Sequence, residues 1–395
     1  MNRYKPGNKI TLLRNGAEYF PALERAVDAA QSEVWFETYI FADDVSGRRV
    51  AAAFERAARR GVKVRVMVDG WGAKFYLTPG LEREMIAAGV DFQRYRPEVA
   101  PWQFRFHRLR RLHRKLCQID GRVAFVGGIN VIDDDNTPGH TPPRADFAVM
   151  VEGPLVVPIA QTMQRVWALV QLVRSGNSDV ALFPDRRRSE RAGGQTAKFV
   201  TRDNLRHRRD IERAYLAAIR TAKNEIIIAN SYFFPGIRFR RALKDAAARG
   251  VVVTLLLQSK VEYLLLHFAT RALYGQLLNA GVIIQEYHRS MLHAKVAVVD
   301  DHWATVGSSN IDPYSLLMAR EANVFVRDNG FNRELKTQLA DMMSAGSRRI
   351  APDDWESKPR LYKAAIWTSY GIVRLAMGFL GYGGNEWFRK EGKEE

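Results

Sequence analysis

The chain has 395 residues, 47% hydrophobic and 26% charged, and its lysines and arginines outnumber its acids to give a formal net charge of +17. That length predicts two domains or one large duplicated unit, and the charge predicts attraction to polyanions, either nucleic acid or an anionic membrane surface. A single cysteine, Cys117, excludes an internal disulfide and an all-cysteine zinc site, and fits a reducing compartment.

In chain order, Met1 to Lys9 leads into no signal-peptide core. Tyr19 to Ala26 has helical spacing, and Glu33 to Phe41 reads as a strand. A second helix closes at Ala57-Ala58-Arg59-Arg60-Gly61, ahead of the strand Val62 to Val68. Trp102 to Leu112 then mixes aromatics with arginines. It runs into His113-Arg114-Lys115-Leu116-Cys117-Gln118-Ile119-Asp120, a turn at Gly121-Arg122, a second apolar strand, and Gly127-Gly128-Ile129-Asn130. Asp146 opens the strand Phe147 to Val151. Residues 174–195, which hold the run Asp185 to Arg191, read as a surface linker after a first half spanning 1–173.

The second half, 196–350, repeats that order. Ile211 to Tyr215 leads to Glu225 to Phe234; Ala247-Ala248-Arg249-Gly250 closes a helix before Val251 to Leu257. Tyr263 to Ala269 is an apolar run inside a helical segment, for which a buried core helix and an interfacial one compete. His293-Ala294-Lys295-Val296-Ala297-Val298-Val299-Asp300 follows, then a turn at Asp301-His302, a strand ending Gly307-Ser308-Ser309-Asn310, and Glu321 ahead of Ala322 to Val326. In the tail, 351–395, the apolar stretch Ala364 to Tyr382 is interrupted by Arg374, which predicts a segment lying on a membrane or packed on the protein, not spanning a bilayer.

His-x-Lys-x4-Asp therefore occurs twice, each time at the matched place of an internal repeat. In a strand, residues two apart share a face, so each histidine and its lysine point the same way while the aspartate falls at the hairpin turn. The small residues after the return strand let backbone amides approach a phosphate, with an asparagine side chain to donate as well. One such triple would carry little weight; two in register, each followed by Gly-x-x-Asn, carry a great deal. Strands alternating with helices imply α/β units around a mostly buried sheet, duplicated.

At these residues the sequence resembles the phospholipase D superfamily, and within it the bacterial cardiolipin synthases of type B. Asp43-Asp44-Val45, His113-Arg114-Lys115, Ile228 to Gly236, Asp300 to Pro313 and Glu321-Ala322-Asn323-Val324 carry the likeness, which covers about residues 8 to 345. Cys117-Gln118 is a looser filling of the first motif than the aliphatic one expected, and the tail beyond Pro352 carries no motif. The resemblance implies two similar α/β/α sandwich halves with mixed sheets, related by a pseudo-twofold axis with the active site between them.

It also implies a two-step displacement at phosphorus. His113 is expected to attack and form a phosphatidyl-histidine, and His293 to protonate the departing alcohol and deprotonate the incoming one. Lys115 and Lys295 would neutralise the non-bridging oxygens, with Asn130, Ser308 and Asn310 as donors to the same atoms, and no metal or cofactor is called for. Asp146, thirty-three residues after His113, and Glu321, twenty-eight after His293, resemble the carboxylates that orient the histidines; surface acids at strand starts are the competing reading. Asp120 and Asp300 belong to the motif but read as structural, holding the hairpins.

Three features favour lipid over nucleic acid as substrate: the aromatic–arginine stretch before His113, the run Tyr263 to Ala269, and the apolar, basic-flanked tail. The expectation is cardiolipin synthesis. One phosphatidylglycerol, with phosphatidylethanolamine as the other donor to consider, gives its phosphatidyl group to the hydroxyl of a second. The enzyme would sit peripherally on the cytoplasmic face of a bacterial membrane, without nucleic acid as a partner. A hydrolase or nuclease using the same histidines, or a nucleic-acid-binding module, are the alternatives.

Overall fold

The central strands of the computed structural model are aliphatic runs buried on both faces, such as Val123–Gly127 and Lys295–Val299, and the helices Val45–Arg59 and Asp210–Thr221 lay an apolar stripe against the sheets. The structure describes residues 3–97, 110–181, 190–203, 207–259, 264–312 and 319–379. Residues 102–109 of the aromatic–arginine stretch, 185–189 of the charged run, Tyr263, and 380–395 of the tail lie outside the described residues.

The first half runs β1 (Lys5–Arg14), α1 (Asn15–Asp28), β2 (Glu33–Thr38), α2 (Val45–Arg59), β3 (Lys63–Asp69), α3 (Pro79–Ala87), β4 (Asp91–Tyr95), β5 (Arg111–Leu112), β6 (Lys115–Ile119), β7 (Val123–Gly127), β8 (Phe147–Glu152) and α4 (Val156–Ser175). The second runs β9 (Gln195–Arg202), α5 (Asp210–Thr221), β10 (Glu225–Asn230), α6 (Ile237–Ala248), β11 (Val252–Gln258), α7 (Leu264–Arg271), α8 (Tyr274–Leu278), β12 (Ile283–Tyr287), β13 (Lys295–Val299), β14 (Trp303–Gly307), β15 (Ala319–Arg327) and α9 (Asn329–Gly346). The short strand β16 (Ser347–Arg349), α10 (Pro352–Glu356) and α11 (Arg360–Phe379) complete it.

The two halves share one topology. The sheet order β1-β8-β7-β6-β2-β3-β4 in the first is matched by β9-β15-β14-β13-β10-β11-β12 in the second. β2, β3 and β4 pair in parallel and the rest antiparallel, so each sheet is mixed. The sheets join where β1 and β9 pair antiparallel, Lys5 opposite Ala197 and Asn8 opposite Gln195, which relates the halves by a local twofold. One local signal recurs in both, for Gly61 and Gly250, both at φ +87°, follow α2 and α6 in the left-handed conformation open to glycine; the N-caps differ, Asp44 accepting from the Gly47 amide at 2.9 Å at α2 where α6 has Gly236.

Three cores result. Leu23, Phe36, Phe54 and Val66 fill the outer face of the first sheet. Tyr215, Phe239, Leu255 and Leu277 fill that of the second. The inner core is common to both halves, with Trp35, Val126, Val149 and Trp167 of one in the same cluster as Val296, Val306, Leu335 and Leu339 of the other. The expected boundary at 173 falls within the last turn of α4, which ends at Ser175 and is followed by left-handed Gly176. α11 packs one face on the second half, burying Ile366 and Tyr370, and exposes Leu361, Trp367, Ile372 and Leu375 on the other. In α7 only Ala269 is fully buried and Leu264 is 69% exposed, so the run from Tyr263 is no core helix.

Candidate active site

Lys115 and Lys295 begin β6 and β13, each an inner strand of its sheet, and both are buried. Each ammonium donates to the carbonyl of the histidine two residues before it, Lys115 Nζ to His113 O at 2.7 Å and Lys295 Nζ to His293 O. That bond fixes histidine and lysine on one face, as the two-residue spacing requires.

The segments leading into the histidines cross to the other half. β5 pairs in parallel with the start of β15, Arg111 opposite Ala319 and Leu112 opposite Arg320, and the His113 amide donates to the Arg320 carbonyl at 3.1 Å. Symmetrically, Ala145 bridges Leu292, and the His293 amide donates to the Ala145 carbonyl at 2.8 Å. Each histidine is thus laid beside the residue that follows in the opposite half. Nδ1 of His113 donates to Oε1 of Glu321 at 2.9 Å, and Nδ1 of His293 to Oδ2 of Asp146 at 2.6 Å. Sequence order pairs Asp146 with His113 and Glu321 with His293; the structure reverses this, because the chain before each histidine crosses the interface. Both carboxylates are buried, so they are not surface acids.

The two pairs differ in their support. Glu321 is also 3.5 Å from Arg202 of β9 and accepts from the Ser308 hydroxyl at 2.5 Å. Burial would raise its pKa, but His113, Arg202 and Lys115 outweigh that and hold it below the ordinary range. Among the described residues no arginine forms an ion pair with Asp146: its Oδ1 accepts from the Phe147 amide at 2.8 Å, and burial, only partly offset by Lys295, Lys115 and Arg144, pushes it up to about 6. Gly128 occupies the place of Ser308, and a Cβ there would stand 2.4 Å from Asp146 Oδ1, so the shorter aspartate requires glycine where the glutamate takes serine.

Burial lowers both histidines, His293 well below its usual value with Lys295, Arg144, Lys115 and His113 pushing the same way. Burial also lowers Lys115 to about 7 and Lys295 to about 8. Each lysine acts on the histidine of the other motif as well as its own, so the two motifs occupy one electrostatic site.

Several expected donors are already engaged. The backbone amides of Gly128 and Ser308 donate to Phe147 and Ala322 carbonyls at 3.0 Å each. The Ser308 hydroxyl, donating to Glu321 and accepting from the Ala322 amide at 3.1 Å, has no second proton for a phosphate. Ser308 therefore positions Glu321 instead. Asn130 and Asn310 hold their carboxamide oxygens on the Ile40 amide at 3.2 Å and the Ser231 hydroxyl at 3.0 Å, which fixes the direction of their amide nitrogens.

Asp120 and Asp300 stand at the far hairpins, both left-handed at φ +52° and +49°. Asp120 accepts from the amides of Gln31, Ser32 and Glu33 at 2.8–2.9 Å, and Asp300 from those of Lys223, Asn224 and Glu225. They clamp the start of β2 and β10 to the motif strand and do not reach the histidines.

Five residues were not legible as site residues. Arg202 lies on a strand that carries no motif. Asn15, left-handed at φ +55°, holds the Asp146 backbone from both sides, donating to its carbonyl at 2.9 Å and accepting its amide at 3.1 Å. Asp69 accepts the Leu112 amide at 2.7 Å, and Gln258, its counterpart at the end of β11, accepts that of Leu292 at 2.6 Å. Tyr39 also joins the site, its ring 4.8 Å from that of His113 and under the Lys115 ammonium, where the second half has Ser231.

Comparison with known proteins gives the same reading. A sequence family described as "Cardiolipin synthase, PLD-like domain" matches residues 23–167 and 215–343. Cardiolipin synthase B of Escherichia coli K12 is 40% identical over 351 residues, 88% of this chain and 83% of that protein. The Salmonella typhi protein of the same description is 42% identical with the same coverage, and cardiolipin synthase A of Proteus mirabilis is 30% identical over 89% of this chain and 72% of that one. Among solved structures, phosphatidylserine synthase from Haemophilus influenzae Rd KW20 superposes with a TM-score of 0.67 at 9% identity, covering 94% of this chain and 95% of that one. Polyphosphate kinase from Porphyromonas gingivalis gives 0.55 at 15% identity, covering 94% of this chain and 53% of that one. These two likenesses are of fold.

Proposed function

The chain belongs to the cardiolipin synthase family of PLD-like proteins, and on that premise we propose that it joins two phosphatidylglycerol molecules into cardiolipin and releases glycerol. The observation that supports this most directly is the crossed pair of histidine–carboxylate contacts, which makes one site from two motifs.

In the proposed reaction, Nε2 of His113 attacks phosphorus of the donor lipid, and the bond from phosphorus to the glycerol oxygen breaks. His293, protonated at Nε2 once the donor's anionic phosphate offsets the burial and cationic neighbours that lower its pKa, delivers that proton to the glycerol oxygen. A hydroxyl of the second phosphatidylglycerol then gives a proton to His293 as its oxygen attacks phosphorus and displaces Nε2. Glu321, kept anionic by its partners, favours His113 for the covalent step because a phosphorylated imidazole is cationic and needs a fixed counter-charge. Lys115 and Lys295 face the non-bridging oxygens, with the amide nitrogens of Asn130 and Asn310 beside them. One phosphodiester replaces another, so no nucleotide is needed. Phosphatidylethanolamine fits the same chemistry as donor.

The protein would work from the bilayer surface, on the cytoplasmic side. No helix among the described residues is long and apolar enough to cross a membrane. The exposed apolar stripe of α11 and the net charge of +17 suit an anionic interface.

The deciding assay incubates purified protein with phosphatidylglycerol vesicles and weighs the products, with His113→Ala and His293→Ala alongside. Cardiolipin and glycerol are expected from the wild type only, and acid-quenched protein should carry a phosphatidyl adduct on His113. Phosphatidic acid alone would replace the transferase with a hydrolase; an adduct on His293 would exchange the two roles.

A further inference from the structure

Away from the histidines, α11 leaves a cleft of about 520 Å³ against the α6 and α8 face. Arg240, in the first turn of α6, lines it and is 5% exposed. Its guanidinium donates to the Tyr370 hydroxyl at 3.3 Å, its Nε has no hydrogen-bond partner, and among the described residues no carboxylate pairs with it. A buried cation without a counter-anion is strongly disfavoured unless an anion joins it.

The surroundings favour that anion. The α6 N-terminus carries the positive end of a twelve-residue helix, and Gly236 at its cap offers no side-chain acceptor to the first-turn amides. Lys363 and Arg374 line the same cleft from α11, against one acid, Glu356, which is exposed. Trp355 and Trp367 give it apolar walls, and the exposed stripe of α11 adjoins it.

We propose that this cleft is a second anion site, separate from the catalytic one, which takes a phosphate ester and is suited to the headgroup of an anionic phospholipid lying beside α11. The preference for a lipid rests on the functional reading above; the anion site itself does not. Arg240 holds the phosphate, the tryptophans flank the start of the acyl chains, and the site docks the protein onto a membrane that contains its own substrate class.

The test compares full-length wild type, Arg240→Leu and Tyr370→Phe. Each is bound to vesicles of phosphatidylcholine with and without phosphatidylglycerol, and melted with inorganic phosphate or glycerol phosphate at constant ionic strength. Arg240→Leu should melt at or above the wild type without ligand and lose roughly tenfold or more of its affinity for the anionic vesicles. Tyr370→Phe, which keeps the charge, should retain that affinity. Soluble phosphate that raises the melting temperature of the wild type but not of Arg240→Leu, with vesicle binding unchanged, would keep the site and assign it to a soluble ester. Equal vesicle affinity and equal phosphate response in wild type and Arg240→Leu would overturn the proposal, as would an equal loss in Tyr370→Phe. Cardiolipin formation by the wild type is read in parallel, so a failed functional reading shows there and not in the binding comparison.

Discussion

At the scale of single residues, the site brings two ammonium groups and two imidazoles into a space from which water is largely removed. The consequence is a set of charges held far from their ordinary pKa values until an anion arrives. Lys115 near 7 and Lys295 near 8 lose their protons as the pH rises through those values in the empty protein, and a bound phosphodiester restores them. kcat/KM, which reports the free enzyme, should therefore fall on the alkaline side from about pH 7 to 8, while kcat holds to higher pH. A single alkaline limb shared by both parameters would show that the lysines are not the groups titrating. The crossed contacts make a second claim. Glu321→Gln should cost about 10⁴ in kcat by analogy with other histidine–carboxylate pairs, and add nothing further once His113 is Ala. Double-mutant cycles in melting temperature should couple Glu321 with His113 and Asp146 with His293, and leave the same-half combinations additive.

At the scale of elements, the motif strand does two jobs at its two ends. Its start presents histidine and lysine to the site; its end carries an aspartate whose carboxylate gathers three consecutive amides from the neighbouring strand's first turn. Burial would raise the pKa of Asp120 and Asp300, but those amide donors prevail and hold both below the ordinary carboxylate range. Their contribution is complete above about pH 4 and disappears as the pH falls through the folded values. Asp120→Ala should cost about 2 kcal/mol of stability, measured by denaturant titration, and leave kcat near wild type well below the melting temperature. A loss of kcat in fully folded protein would place Asp120 in the chemistry instead. The first motif also departs from the second in its interior. Arg114 is buried in a two-bond contact with Glu37 at 2.6 and 3.0 Å, where the second half has the small Ala294.

At the scale of the whole molecule, neither half holds a complete histidine pair. His113 of the first is oriented by Glu321 of the second, and His293 of the second by Asp146 of the first, while the β1–β9 contact and the common inner core keep the halves in register. The covalent connection through 182–189 is then dispensable once folding is done. A protease site placed there and cleaved after purification should leave the fragments associated and cardiolipin synthesis nearly unchanged, by gel filtration and product assay. Separation of the fragments under native conditions would contradict a common core of this extent.

The sequence by itself determined the duplication, the α/β halves and the two motifs, because these depend on local periodicity and on residue types at short fixed spacing. His113 and Lys115 share a face whatever the rest of the chain does, and Asp120 and Asp300 stand at turns for the same reason. The partners of the histidines were decided only when the halves came together, while the engagement of Ser308 with Glu321 and the places of Arg202, Asn15 and Tyr39 were set by strand pairing within a half. Glu321 lies 208 residues from His113 and Asp146 lies 147 from His293. No short-range pattern links residues that far apart; it is the crossing of β5 onto β15, and of Leu292 onto Ala145, that carries each histidine to the other half's carboxylate.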